Sequence, residues 1–224
     1  VKLEAILWDL DGTICDSAAL HFGSWQATMA EHGVEYTREL FVAAFGRNNF
    51  EILSEQMPSF SPAKISQVSE EKEAAYRRLV TPGALELLPG VGEWLGRAQA
   101  QGLSQVIGSS APMPNIVAMV HVLEIGGFFH ALLSGYRLPR GKPDPLLFLR
   151  CAAAVEAHRD ACLVIEDSIH GVEAAHRAGM PCIAVGGITA SEAIRPYVEA
   201  HWPPCRAVES LAGMTLESIS SWYT

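Results

Sequence analysis

From about residue 85 onward, short apolar runs alternate with helix-length stretches, and few folds accommodate that rhythm. The runs are LSQVIG (103–108), ALLS (131–134), CLVI (162–165) and PCIAV (181–185). Each is bounded by Gly, Ser, Pro or acidic residues, as buried strands are. Between them the spacing predicts helices over 92–101, 115–123, 145–155 and 169–178, two of them followed by Gly102 and Gly179. AILW (5–8) reads as one more buried strand at the amino end. Strand and helix in alternation imply an α/β fold, a parallel sheet with helices on both faces. The 224 residues suffice for such a core plus a small second unit.

The stretch 15–82 breaks the rhythm. It contains no convincing strand and predicts helices near 18–32, 37–44, 49–56 and 62–79. A separate small helical domain explains it better than one long structured loop. The expected organisation is therefore a core of 1–14 and 83–224 with an inserted helical domain, 15–82. Hinge candidates lie at 15–17 and 81–84.

Composition narrows the class of function. The chain is 49% hydrophobic and 18% charged, which marks a globular protein rather than a disordered one. Its formal net charge of −9, with no Lys/Arg run, argues against nucleic acid as a partner. An anionic substrate stays possible, because one site can be locally positive. Five widely spaced cysteines without a CxxC fit reduced, buried thiols and a cytoplasmic location. No leader pattern and no run of membrane-spanning length are seen, so no membrane partner is expected. A monomer is the expected state.

Chemistry gathers at the strand ends. In open parallel sheets, sites form beyond the carboxyl ends of the strands. There the chain carries Asp9 and Asp11, then Ser109 and Ser110, then Lys142 in Gly-Lys-Pro, then Glu166-Asp167-Ser168. Two carboxylates one residue apart at the mouth of a buried strand are costly unless neutralised, and oxygen donors favour magnesium. Singly, each of these is readable as a turn or a helix cap. Independent caps have no reason to fall at four strand ends together.

The set resembles the four motifs of the haloacid dehalogenase-like (HAD) phosphotransferase superfamily. Asp9-Leu10-Asp11-Gly12-Thr13 matches the first, Ser109 the second, Lys142 the third and Glu166-Asp167-Ser168 the fourth. Within it the chain is most similar to small helical-cap sugar-phosphate phosphatases and β-phosphoglucomutases. The resemblance implies a Rossmann-like core with 15–82 as a cap. It implies that Asp9 is the nucleophile and Asp11 the acid and base, with Thr13 orienting Asp11. Ser109 and Lys142 would hold the transferring phosphoryl group, and Lys142 would offset its charge. Asp9, Asp11 (through its backbone carbonyl), Glu166 and Asp167 would hold Mg2+, Glu166 directly or through water.

Asp11 and the acidic pair argue for phosphoryl transfer rather than dehalogenation. The resemblance points to His21, Trp25, Arg47, Asn49, Lys72 and Ser110 as substrate-contact candidates. A mutase must grip a second, distal phosphate. Asn49 stands where that family's cap arginine aligns, and Ala111-Pro112-Met113 offers no cation. A distal dianion would lose several charge-assisted hydrogen bonds of about 1.5–3 kcal/mol each. The reading is a magnesium-dependent phosphatase of a small phosphorylated metabolite, a sugar or polyol phosphate, acting through an aspartyl-phosphate. The alternatives are a β-phosphoglucomutase-type mutase and a catalytically silent binding or regulatory protein of the same fold.

Overall fold

The computed structural model describes residues 2–44, 49–186, 191, 194–201 and 204–223. It divides into two compact units, Val1–Asp16 with Glu86–Thr224, and Ser17–Leu85. Cys15 sits with the first, because it bridges to both Asp11 and Leu87.

The chain opens with β1 (Ala5–Trp8), which enters the sheet unit. The helical unit follows, with α1 (Ala18–Glu31), α2 (Arg38–Ala43), α3 (Asn49–Gln56) and α4 (Pro62–Leu79). Thr37 caps α2 by accepting from the Leu40 N–H, and Ser61 caps α4 by accepting from the Lys64 N–H. α1 and α4 pack most extensively, around Trp25, Met29, Leu53, Ile65 and Val68.

The sheet unit resumes with α5 (Val91–Ala100), β2 (Ser104–Ser109), α6 (Met113–Val122) and β3 (Ala131–Ser134). After these come α7 (Leu146–Ala154), β4 (Cys162–Glu166), α8 (Ile169–Ala178) and β5 (Cys182–Val185). α9 (Arg195–His201) and β6 (Cys205–Val208) complete it. All strand pairings are parallel, in the order β3-β2-β1-β4-β5-β6. β1, β4 and β5 are buried throughout, which is why they read as unbroken apolar runs.

One face of the sheet, with Leu7, Val106, Val164 and Ala184, joins an apolar core that includes residues of α7, α8 and α9. On the other face Gln105, fully buried, ties β1, β2 and α5 together. Its carbonyl accepts from the Trp8 indole at 3.2 Å, and its amide donates to Leu95 O at 3.1 Å. The chain order turns outward in both directions between β1 and β4, so a crevice opens beyond their carboxyl ends.

The strand pattern differs from the expectation at its far end. β6 and α9 have no counterpart among the apolar runs. β6 is an edge strand whose burial is uneven, so Cys-Arg-Ala-Val lacks the continuous apolar signature.

Gln105→Ala is expected to destabilise the protein by about 2–4 kcal/mol, because it leaves the Trp8 N–H buried without its partner, removes the second bond to the Leu95 carbonyl and opens a cavity. The midpoint of urea unfolding measures the loss, and an unchanged midpoint would remove Gln105 as the tie.

Candidate active site

The sheet order places Asp9 and Glu166 side by side. β1 pairs with β4 in the register Trp8↔Ile165, and the Asp9 N–H continues the ladder onto Ile165 O at 2.9 Å. Each acid therefore follows the same level of two neighbouring strands. Lys142 arrives from the loop after β3. Its ammonium donates to Asp9 Oδ1 at 2.5 Å and to Glu166 Oε1 at 2.6 Å. The side chains of Lys142, Asp9 and Glu166 are only 8%, 8% and 1% exposed, so the contact is nearly dry.

The loop is shaped for this delivery. Asp144 accepts from the Leu146 N–H at 3.0 Å and pairs with Arg140 at 2.6 Å, which turns the chain into α7. Lys142 also lies over the Phe148 ring, 5.0 Å from its centroid.

Asp167 completes the group. Ligand oxygens of Asp9, Glu166 and Asp167 all lie within 4.8 Å of one another. The second Glu166 oxygen accepts from the Ser168 N–H at 2.6 Å, and the Ser168 side chain caps α8 through the Gly171 N–H at 3.0 Å. Two glycines make room for these acids. A Cβ at Gly171 would overlap the Glu166 carboxylate, and one at Gly12, with φ +84°, would overlap that of Asp167.

The electrostatics report too much negative charge. Burial first, and then Glu166 and Asp11, push the Asp9 carboxyl up to about 7 against the opposing pull of Lys142. Burial, then Glu166 and Asp9, push Asp167 up to about 9. Burial works against the Lys142 ammonium, yet Asp9 and Glu166 outweigh it and hold its pKa above the usual lysine value. Three carboxylates stand against one ammonium, which bonds two of them, so the cluster carries too little positive charge. A hard divalent cation with oxygen preference, such as Mg2+, fits that deficit and that donor set.

The remaining expected residues divide by location. Ser109 is buried at the end of β2, where its hydroxyl accepts from the Ala111 N–H at 3.0 Å. Ser110 is exposed. The Asp11 carboxylate is half-buried and not one of the three clustered acids. Thr13 Oγ1 is buried with no hydrogen-bond partner among the described residues. Arg47 lies outside the described residues.

Within the helical unit, His21, Trp25, Asn49 and Lys72 converge. Lys72 Nζ is 3.1 Å from His21 Nδ1 and 5.2 Å from the Trp25 ring centroid. It donates to Glu73 Oε1 at 2.9 Å, and Asn49 donates to the same oxygen at 2.7 Å and to Ser69 at 3.1 Å. His21 stacks on Tyr76 at 4.1 Å. Glu73, which joins these residues, escaped the sequence reading because one acid in a charged helix looks like solvated surface. Gly171 escaped too. Its only signal was a glycine in the first turn of an otherwise good helix.

A family model described as haloacid dehalogenase-like hydrolase matches residues 6–185. The chain belongs to this family. Among curated relatives of the hydrolase, the β-phosphoglucomutase of Bacillus subtilis is 29% identical over 191 residues, covering 82% of this chain and 84% of the relative. The phosphorylated carbohydrates phosphatase of Thermotoga maritima is 28% identical over 184 residues, covering 80% and 82%. The crystal structure of β-phosphoglucomutase from Clostridium difficile superposes with a TM-score of 0.81 at 24% identity, covering 99% and 97%. That likeness establishes the hydrolase's fold as a parallel α/β core of this type. Among its described residues no helix is long and apolar enough to cross a membrane.

Two predictions concern the acid cluster. Asp9 and Asp167 hold protons more tightly folded than unfolded, so their contribution to stability is complete below about pH 4 and is lost as pH rises through about 7 and then about 9. The metal-free melting temperature is therefore expected to fall from pH 5 to pH 9, with added Mg2+ restoring most at the upper end. A melting temperature indifferent to both would contradict the charge deficit. Gly171→Ala should weaken Mg2+ binding about 10–100-fold by displacing Glu166, read as a shift in the Mg2+ concentration that raises the melting temperature.

Proposed function

We propose that this hydrolase is a magnesium-dependent phosphatase of a small phosphorylated metabolite, a sugar or polyol monophosphate. The observation that carries the reading is the buried Lys142 ammonium held between Asp9 and Glu166, beside Asp167. Lys142 keeps an Asp9 oxygen oriented while a phosphate dianion approaches. An Asp9 oxygen attacks phosphorus, and the bond to the leaving oxygen breaks as Asp11 donates its proton. Water then attacks the aspartyl-phosphate on Asp9. Asp11 takes the water proton, the bond from phosphorus to Asp9 breaks, and inorganic phosphate leaves.

Asp9, Asp167, Glu166 and the Asp11 backbone carbonyl would hold Mg2+, which supplies the positive charge that lets two anions meet. Lys142 and the Ser109 hydroxyl hold the phosphoryl oxygens, and Ser110 is a further contact candidate. The helical unit, Ser17–Leu85, would serve as the cap that the family resemblance implies, with exclusion of bulk water as its role. His21, Trp25, Arg47, Asn49 and Lys72 contact the rest of the substrate.

Two features support a monophosphate. The Ala111 N–H already serves Ser109, and its carbonyl accepts from Ser134 at 2.6 Å, so the turn after β2 is tied down without a cation. Lys72 is paired with Glu73, and Asn49 donates to Glu73 and Ser69. Each weakens a grip on a distal dianion. The second reading, a sugar phosphomutase, draws its support from the similarity to the Bacillus enzyme.

Release of phosphate from an aryl phosphate should require Mg2+. Asp9→Asn should lower it by about 10³-fold or more and Lys142→Ala by about 10²–10³-fold, with native circular dichroism in both. Retained turnover in Asp9→Asn would remove Asp9 as nucleophile. Folded protein without activity in either condition would favour a silent binding protein. Conversion of β-glucose 1-phosphate with a bisphosphate activator to glucose 6-phosphate, without phosphate release, would establish the mutase instead.

A further inference from the structure

Two cysteines that the proposed chemistry does not use face each other at the far edge of the sheet. Cys182 opens β5 and Cys205 opens β6, and they are register partners in the parallel ladder. The Cys182 N–H bonds to Pro204 O at 3.0 Å, which holds the two strands in register at the pair. Register partners on adjacent strands point to the same face, and both side chains do pack on the same apolar core as α8. Adjacent strands lie about 4.8 Å apart, inside the roughly 4.4–6.8 Å between Cα atoms that a disulfide spans. Both thiols are free, Cys182 at 2% exposure and Cys205 half-buried.

The other cysteines lack this arrangement. Cys15 and Cys151 lie in a loop and on α7, and Cys162 is paired in register with Ala5 rather than with a thiol. Burial first, and then a hydrogen bond with Cys205, push the Cys182 thiol well up, so Cys182 is not the group that meets an oxidant first.

We propose that Cys182 and Cys205 form a reversible disulfide that clamps the edge strand β6 to β5 when the protein meets a peroxide. The Cys205 sulfur attacks a peroxide oxygen. The O–O bond breaks, one oxygen leaves as water and the other stays as a sulfenic acid on Cys205. The Cys182 sulfur then attacks the Cys205 sulfur, the S–O bond breaks, and the hydroxyl departs with the Cys182 proton as a second water. The pair loses two electrons and two hydrogens, and hydrogen peroxide becomes two waters. The buried partner is placed to resolve the sulfenic acid before a second peroxide can carry it to the irreversible sulfinic state. The new link closes a loop of roughly twenty residues around α9 and holds a strand that otherwise has one sheet neighbour.

The reduced chain is treated with equimolar hydrogen peroxide, alkylated in denaturant and mapped by mass spectrometry. The expected result is loss of two of the five thiols, one linked peptide joining Cys182 to Cys205, and a higher melting temperature that dithiothreitol reverses. In Cys182→Ser the sulfenic acid on Cys205 should persist long enough to be captured by dimedone. Alkylated Cys182 beside oxidised Cys205, a link between any other cysteines, or dimers joined through Cys205 would overturn the proposal. An unchanged melting temperature in linked protein would overturn the clamp. The wild-type mapping decides the matter even if Cys182→Ser does not fold.

Discussion

One ammonium shared by two buried carboxylates organises the sheet unit. Lys142 bonds Asp9 and Glu166 at a level where almost no water reaches, and Asp167 lies beside them. Such a group is unfavourable to bury, because desolvation of ions competes with their attraction. It persists because the surrounding structure allows little else. Asp9 and Glu166 are held by adjacent ladders, and Lys142 comes from a loop that must cross β2 to reach β1. α7 makes the crossing possible, since it packs on β3, β2 and β1 and starts where Asp144 turns the chain. Even so the ion balance stays negative, and the raised carboxyls of Asp9 and Asp167 express that imbalance. A site left negative by its own fold offers a donor set that suits a cation.

The helical unit follows another principle. Its polar residues are linked to one another, with Glu73 accepting from both Lys72 and Asn49 and His21 packed on Tyr76. Lys72 is 2% exposed and Glu73 6%, so each needs the other. The residues proposed above as substrate contacts also carry an internal hydrogen-bond network. A buried acid among them lowers the net charge that the unit can offer an anion. That lower charge is what supports the proposed monophosphate reading.

Much of the core was legible along the chain. Ala5–Trp8 and Cys162–Ile165 are buried on both faces, so burial wrote itself as unbroken apolar residues. Ser168 and Gly179 announced both ends of α8, one by capping with its side chain and the other by adopting a left-handed conformation. β6 was not legible, because an edge strand needs no continuous apolar run. Gly171 and Glu73 were silent for a related reason. Glu73 gains its role from Asn49, 24 positions away, and Gly171 from the way β4 turns the Glu166 carboxylate back over the first turn of α8, neither of which residue type alone records.

The sequence alone determined the alternating parallel architecture, the helical insertion and the acids, hydroxyl and lysine at the strand ends. Those follow from local burial and from residue types that terminate strands and start helices. Only the tertiary structure decided that Lys142 joins Asp9 to Glu166, that Asp167 stands within reach of both, and that Cys182 faces Cys205. Strand order and register make those choices. They bring together side chains as far as 133 positions apart, and the pKa of each then depends on neighbours that the chain's own order does not reveal.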